Sequence, residues 1–429
     1  MRFTSLADWL GWLEQSHPKE IDLGLDRIRQ VAARLDLLKP CAKVITVAGT
    51  NGKGSCVTAT AGLLHAANFN VGVYTSPHLL HYAERIQINN KPVADELICA
   101  AFEKIANAAS EISLTYFEYG TLAALEIFKQ QNVDYMVLEV GLGGRLDAVN
   151  IIDADVAVIT SIAIDHRDWL GDNREVIGRE KAGILRQHQL FVCADHNPPQ
   201  SILDIAAELQ TKSYFIEREF SFGVEEKNWH WQGKTNSGGT ISFEAMQTPH
   251  LPLPSMAAAL QVLQLLDVGI TSAEAEQALI NLHLPGRFQK LVYQGREFIL
   301  DVAHNPAATE YFSKRLAAEP VAGKTFAIVA MMSDKDRTAS LANLVSIVDE
   351  WFLLDLANIP RAASVEALTE NLVSLAATIK QSGNIHQLMD SLLTRTQSQD
   401  RIVVFGSFFT VAAALAYLQA DSQASRGSL

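Results

Sequence analysis

The chain has 429 residues, a length that favours two domains, and its 48% hydrophobic and 19% charged content suits a folded globular protein rather than a disordered one. A formal net charge of −13 argues against a surface that coats nucleic acid or anionic membrane, since both demand a basic face, yet leaves room for a local basic pocket. Four widely spaced cysteines (Cys41, Cys56, Cys99 and Cys193) form no CxxC pair, so they are expected as buried thiols in a reducing cytoplasm. Asp8 and Glu14 fall where a secretion signal would need an apolar run.

Short β-rich apolar runs alternate with amphipathic helical stretches, which predicts an α/β fold. Strands are expected at 44–47, 71–74, 135–139, 156–160 and 190–193, followed by a polar, Gly-containing antiparallel excursion over 225–240. Leu284-Pro285-Gly286-Arg287 is strong punctuation, and the strand–helix rhythm restarts after it at 298–300, 326–329, 351–354 and 402–405. The expected architecture is therefore a P-loop-type, mostly parallel sheet domain over 1–286 and a smaller Rossmann-like α/β domain over 287–429. No charge interrupts 402–420, which approaches transmembrane length, but Gly406-Ser407 splits it into a buried strand, a tight turn and a core helix. The charged, Ser-rich tail after Asp421 is expected to fray.

The first strand runs into Ala48-Gly49-Thr50-Asn51-Gly52-Lys53-Gly54-Ser55 and then a helix-prone stretch. Strand, Gly-rich turn and helix together place backbone N–H groups and the positive end of a helix against phosphate. Lys53 supplies a point charge and Ser55 a hydroxyl. The pattern departs from a standard phosphate loop, because position 47 is Val and Gly54 separates Lys53 from Ser55. Glu139 and His166 each end an apolar run at the edge where α/β sites lie, and each is a candidate metal ligand or acid–base group.

Gly49-Thr50-Asn51-Gly52-Lys53-Gly54-Ser55 resembles the ATP loop of the Mur ligase superfamily, and its folate branch in particular. The likeness continues in order through Thr75-Ser76-Pro77-His78-Leu79, Glu139-Val140-Gly141-Leu142-Gly143-Gly144-Arg145-Leu146-Asp147-Ala148 and Asp165-His166. It goes on through Lys181-Ala182-Gly183-Ile184, Leu284-Pro285-Gly286-Arg287-Phe288 and Asp301-Val302-Ala303-His304-Asn305-Pro306. The resemblance implies that the first domain is of the Mur ligase central type and that Thr50, Asn51, Gly52, Lys53, Gly54 and Ser55 hold ATP. It further implies that Ser76, Glu139 and His166 contact two Mg²⁺ ions, and that Lys181 is carbamylated and so turned from cation to anion. Lys53, Lys181 and His166 are the expected catalytic groups. From the second domain the resemblance brings Arg287 to ATP phosphate, Asp301 to ribose hydroxyls and His304 beside the nucleotide. Asp334, Lys335 and Asp336 resemble a family block to which no role is assigned. Ser255 stands where the family usually has an Asn near the adenine.

Asp22-Leu23-Gly24-Leu25-Asp26-Arg27 resembles the N-terminal segment of bifunctional bacterial members that also bind dihydropteroate. With Thr115, Tyr116, Phe117 and Glu118, and with Leu146, Asp147 and Ala148, it implies a pterin site in which Phe117 can stack on a flat ring. The implied activity is ligation of L-glutamate to dihydropteroate and to reduced folates by a monomeric enzyme. A monofunctional folylpolyglutamate synthase is the alternative. About 43 residues ahead of the first strand leave no room for the UDP-sugar domain of cell-wall ligases. Glu139, His166, Lys181 and Arg287 together argue against a P-loop kinase and against a non-catalytic nucleotide switch.

Overall fold

The computed structural model describes residues 2–19 and 21–426, with side chains as far as residue 420. Two compact units result, Met1–Ala163 with Leu170–His283, and Ile164–Trp169 with Leu284–Leu429. The short segment Ile164–Trp169, which the sequence sets in the first domain, thus packs with the second unit.

The first unit is built on eight strands: β1 (Lys43–Ala48), β2 (Val71–Tyr74), β3 (Ile86–Ile88), β4 (Lys91–Pro92), β5 (Tyr135–Glu139), β6 (Val156–Ile159), β7 (Leu190–Cys193) and β8 (Lys212–Phe215). Their order is β4-β3-β2-β5-β1-β6-β7-β8, parallel from β2 to β8, with β3 and β4 antiparallel at one edge. β5 and β6 are buried along their whole length and β1 from its second residue on, which is why they read as unbroken apolar runs. The register sets Val47 of β1 beside Glu139 of β5, and Ala48 beside Ile159 of β6. Three strand ends therefore open at one edge of the sheet, where the chain leaves β1.

Helix Lys53–Ala66 packs against helix Leu253–Leu265, and both bury most of their residues. An antiparallel sheet of β9 (Ser221–Glu225), β10 (Asn228–Lys234) and β11 (Thr240–Gln247) realises the polar excursion. Trp229 and Trp231 of β10 are buried, and the Trp231 indole N–H donates to the carbonyl of Ala257 at 3.1 Å.

The second unit holds β12 (Gln289–Tyr293), β13 (Arg296–Asp301), β14 (Thr325–Val329), β15 (Glu350–Leu354), β16 (Ile379–Gly383) and β17 (Arg401–Phe405) in the order β12-β13-β17-β14-β15-β16. All neighbours are parallel except β12, which forms a hairpin with β13. After β17 the chain turns at Gly406 (φ 110°), where a Cβ would meet the Ala330 carbonyl at 2.6 Å, and enters helix Phe408–Arg426. Among the described residues no helix is long and apolar enough to cross a membrane. The tail beyond Asp421 keeps helical backbone to Arg426 instead of fraying there, and 427–429 lie outside the described residues. Cys56, Cys99 and Cys193 are buried, but Cys41 is exposed because it falls in the polar connection ahead of β1.

Candidate active site

From β1 the chain turns through Gly49 (φ 148°) and Gly52 (φ 85°) into helix Lys53–Ala66. Both positions exclude a side chain: a Cβ on Gly49 would lie 1.9 Å from Thr160 Oγ1, and one on Gly52 2.9 Å from Ser255 Oγ. Hydroxyls hold the loop from outside. Thr160 and Ser161 donate to the Asn51 carbonyl at 2.7 and 3.1 Å, and Ser255 donates to the Gly52 carbonyl at 3.2 Å. Thr160 and Ser161 were not singled out from the sequence; the signal for them is a hydroxyl pair directly after the apolar run of β6. Ser255, expected near the adenine, spends its hydroxyl on loop backbone. No side-chain hydrogen bond caps the helix start, the kind of helix end that suits an anion.

Lys53 Nζ donates to the carbonyls of Gly49 and Thr50 at 3.1 and 3.2 Å, and Lys181 Nζ donates to the same Gly49 oxygen at 2.9 Å. Lys181 reaches it from helix Arg174–Ala182 and is only 4% exposed. Two lysine side chains thus converge on one carbonyl oxygen, buried Lys181 from one side and half-buried Lys53 from the other. Glu139, buried at the end of β5, accepts the Ser76 N–H at 3.2 Å. The fold thereby brings Ser76 and Glu139 together, and Lys53 and Lys181 together, in the first unit.

The segments assigned to the pterin also meet there. Thr115 and Glu118 form a reciprocal capping box: Thr115 Oγ1 accepts the Glu118 N–H at 3.2 Å and Glu118 Oε2 accepts the Thr115 N–H at 2.7 Å. That box fixes the start of helix Tyr116–Gln130 and so the place of Tyr116 and Phe117. Phe117 lies against Gly141, where a Cβ would come within 2.6 Å of its ring, and its centroid is 5.8 Å from that of Tyr74. Asp147 accepts the Leu142 N–H at 2.8 Å and the Val149 N–H at 3.0 Å, between half-buried Leu146 and buried Ala148. Burial pushes the Asp147 carboxyl up to about 6, against the pull of the Leu142, Val149 and Gly141 N–H groups and the charge of Lys53. Half-buried Leu23 and Gly24 follow Asp22, whose carboxylate is held by Arg27 at 2.7 Å.

In the second unit Asp301 ends β13 and accepts the Phe288 and Ala303 N–H groups at 2.8 and 2.9 Å. Burial raises its carboxyl, opposed by the charge of Arg287 and these two bonds. Arg287 places its guanidinium 5.1 Å from the Phe408 ring centroid. Asp165 is a hub that single-residue reading undervalues. It receives Lys335 Nζ at 2.6 Å and Asn305 Nδ2 at 3.1 Å, and lies 3.3 Å from His304 Nε2. Burial pushes Asp165 up, but the His304 hydrogen bond and the charges of His304, Lys335 and His166 hold it well below the usual carboxylate range. His166 itself adopts φ 52°, a costly conformation for a residue with a Cβ. It lines a cavity of about 280 Å³ with Asp165, Arg167, Asn305, Asp334 and Lys335.

Residues 47–289 match the Mur ligase middle domain, and 286–408 match the Mur ligase glutamate ligase domain. The chain belongs to the Mur ligase family. It is similar to the dihydrofolate synthase/folylpolyglutamate synthase of Escherichia coli K12, 44% identical over 410 residues that cover 95% of this chain and 94% of that one. Its fold is similar to that of E. coli FolC in complex with DHPP and ADP, with a TM-score of 0.92, 42% identity and coverage of 98% and 99%. It is also similar to a bifunctional folylpolyglutamate synthase/dihydrofolate synthase with Mn, AMPPNP and L-glutamate bound, with a TM-score of 0.89, 45% identity and coverage of 97% and 98%. The two family matches overlap at residues 286–289.

Proposed function

We propose that this Mur ligase is an ATP-dependent amide ligase that joins L-glutamate to dihydropteroate, giving dihydrofolate, and to tetrahydrofolate and its glutamate-extended forms, through an acyl phosphate. The observation that carries the proposal is the pairing of Lys53 and Lys181 on the Gly49 carbonyl, in an uncapped loop beside the strand end that bears Glu139. The relatives' names and their ligands ADP, AMPPNP, Mn, DHPP and L-glutamate support it. The presence of Glu139, His166, Lys181 and Arg287 argues against a simple kinase, which would release a phosphorylated product, and against a nucleotide switch, which needs no acceptor site.

The N–H groups at the start of helix Lys53–Ala66 and the Lys53 side chain cradle the ATP phosphates and offset the charge that builds on the transferred phosphoryl, while the Thr50 and Asn51 N–H groups are spent on Ser161 and set the loop's shape. A substrate carboxylate oxygen attacks the γ-phosphorus as its bond to ADP breaks. The glutamate amine then attacks the acyl carbon, the C–O bond breaks, and phosphate leaves while the amine proton passes to solvent. Ser76 and Glu139 offer hard oxygen donors, and so few protein ligands suit Mg²⁺, which keeps waters and phosphate oxygens. Ser76, Glu139 and His166 would hold two Mg²⁺ ions. When bound, the metal supplies positive charge against the phosphates. Lys181, as a neutral amine, adds CO₂ with loss of one proton, which puts an anion beside Lys53 in place of a second cation. Asp22, Leu23, Gly24, Thr115, Tyr116, Phe117, Glu118, Leu146, Asp147 and Ala148 hold the pterin acid. Arg287, Asp301 and His304, of the 287–429 domain, serve the nucleotide. The enzyme acts as a cytoplasmic monomer.

ADP release is expected only when dihydropteroate, or tetrahydrofolate, and glutamate are supplied together, with dihydrofolate identified by mass from the first acid. A stable phosphorylated pterin, or ADP release indifferent to glutamate, would contradict the proposal. Turnover of tetrahydrofolate with none of dihydropteroate would leave the monofunctional folylpolyglutamate activity.

A further inference from the structure

Arg27 lies in the first turn of helix Asp26–Arg34, and its guanidinium touches two of the segments assigned above to the pterin acid. Nη1 lies 2.7 Å from Asp22 Oδ2, while Nη2 donates to the Asp22 carbonyl at 2.7 Å and to Glu118 Oε1 at 3.3 Å. The other oxygen of Glu118 accepts the Thr115 N–H at 2.7 Å. One planar cation therefore ties the 22–24 loop to the helix turn that carries Phe117. Glu118 is 3% exposed, so its charge needs a fixed counter-charge. A forked guanidinium can serve two carboxylates and a carbonyl at once; an ammonium is a point charge and cannot hold the same plane. His17 and Lys19 also reach Asp22, at 3.3 and 3.5 Å, but Arg27 is the group that extends on to Glu118.

We infer that Arg27 is a positioning residue for the acid substrate: it sets the spacing between the 22–24 loop and Phe117, and with it the width of the slot that receives a flat ring. It acts through Asp22 and Glu118 and touches no reacting atom. This inference rests on the proposed function, and the test separates the two. Full-length wild type, Arg27→Lys, Arg27→Gln and, as control, Arg29→Gln at an exposed position of the same helix would be compared. Initial rates would be taken against dihydropteroate and then against ATP, with melting temperature measured alongside.

Both Arg27 variants are expected to raise KM for dihydropteroate on the order of tenfold, with kcat and KM for ATP within about twofold of wild type. Arg27→Lys should keep its melting temperature more closely than Arg27→Gln, yet fail to restore KM, because it returns charge without the fork. The control should match wild type. An unchanged dihydropteroate KM with a lowered melting temperature would make Arg27 merely structural, and an equal rise in KM for both substrates would remove its specificity for the acid. Wild type lacking dihydropteroate-dependent ADP release would overturn the proposed function itself, and this inference with it, before any variant is compared.

Discussion

Two turns in this molecule share one plan, a parallel strand running into a helix, and differ in what they do with their backbone donors. After β1 the turn is made of glycines, the helix begins at Gly52 without a side-chain cap, and the two nearest cations share a loop carbonyl. After β13 the turn is made of side chains: Asp301 takes two N–H groups, Asn305 caps helix Pro306–Ala318 by accepting the Ala308 N–H, and Pro306 removes one donor outright. The first turn spends the Thr50 and Asn51 N–H groups on Ser161 but leaves its helix start without a side-chain cap; the second caps its helix and carries carboxylates and imidazole instead. A strand–turn–helix is thus a phosphate site only when its residues leave the helix start open.

The comparison breaks most severely at Lys181. Lys181→Ala is expected to fold with a near-normal melting temperature and lose turnover on the order of a thousandfold, the scale seen when a positioned charge is removed from a phosphoryl-transfer site. Lys181→Arg should fail as well, since guanidinium cannot take up CO₂, and added formate or acetate should restore part of the Ala variant's rate. Full activity in Lys181→Arg would show that a plain cation suffices.

Stability should tell the two turns apart next. Gly49→Ala places a Cβ 1.9 Å from Thr160 Oγ1 and is expected to cost about 3 kcal/mol, read by denaturant titration. Asn305→Ala removes a cap and the bond to Asp165 and should cost about 1–2 kcal/mol. Equal losses would deny that the glycine turn is the sterically committed one.

On the acceptor side, Phe117→Ala should weaken dihydropteroate binding about tenfold, by roughly 1 kcal/mol of stacking plus lost burial, with ATP affinity unchanged in a calorimetric titration. A drop in melting temperature with affinity preserved would assign Phe117 to packing alone.

A smaller effect is expected from Asp147, whose folded carboxyl is pushed up to about 6 by burial. The folded chain then holds a proton that the unfolded chain has already lost, so stability from this group falls as pH rises from the ordinary carboxylate range towards about 6. Asp147→Asn should flatten that slope relative to wild type, and parallel curves would remove the claim.

Much of this was legible in the sequence, for physical reasons. β1, β5, β6 and β17 are sheet interiors, so they read as unbroken apolar runs, and Glu139 stood out as the carboxylate ending one of them. The edge strands β8, β12 and β16 did not stand out. Lys212-Ser213-Tyr214-Phe215 and Ile379-Lys380-Gln381-Ser382-Gly383 leave one side to solvent and carry polar residues there. The Gly loop was plain because glycines mark a backbone position directly, whereas its props Thr160 and Ser161 look like any turn residues. Asp165 could not be ranked as a hub, because its partner Lys335 lies 170 positions away. Nor could spacing foretell that Ile164–Trp169 would leave the unit that surrounds it in sequence.

The central claim, ligation through an acyl phosphate, is tested most directly by the fate of one oxygen. Dihydropteroate labelled with ¹⁸O in its carboxylate would be turned over with ATP and L-glutamate, and the released phosphate examined by mass. An acyl phosphate transfers one carboxylate oxygen to phosphate in each turnover, so singly labelled phosphate should appear in step with dihydrofolate. Unlabelled phosphate accompanying dihydrofolate would contradict it.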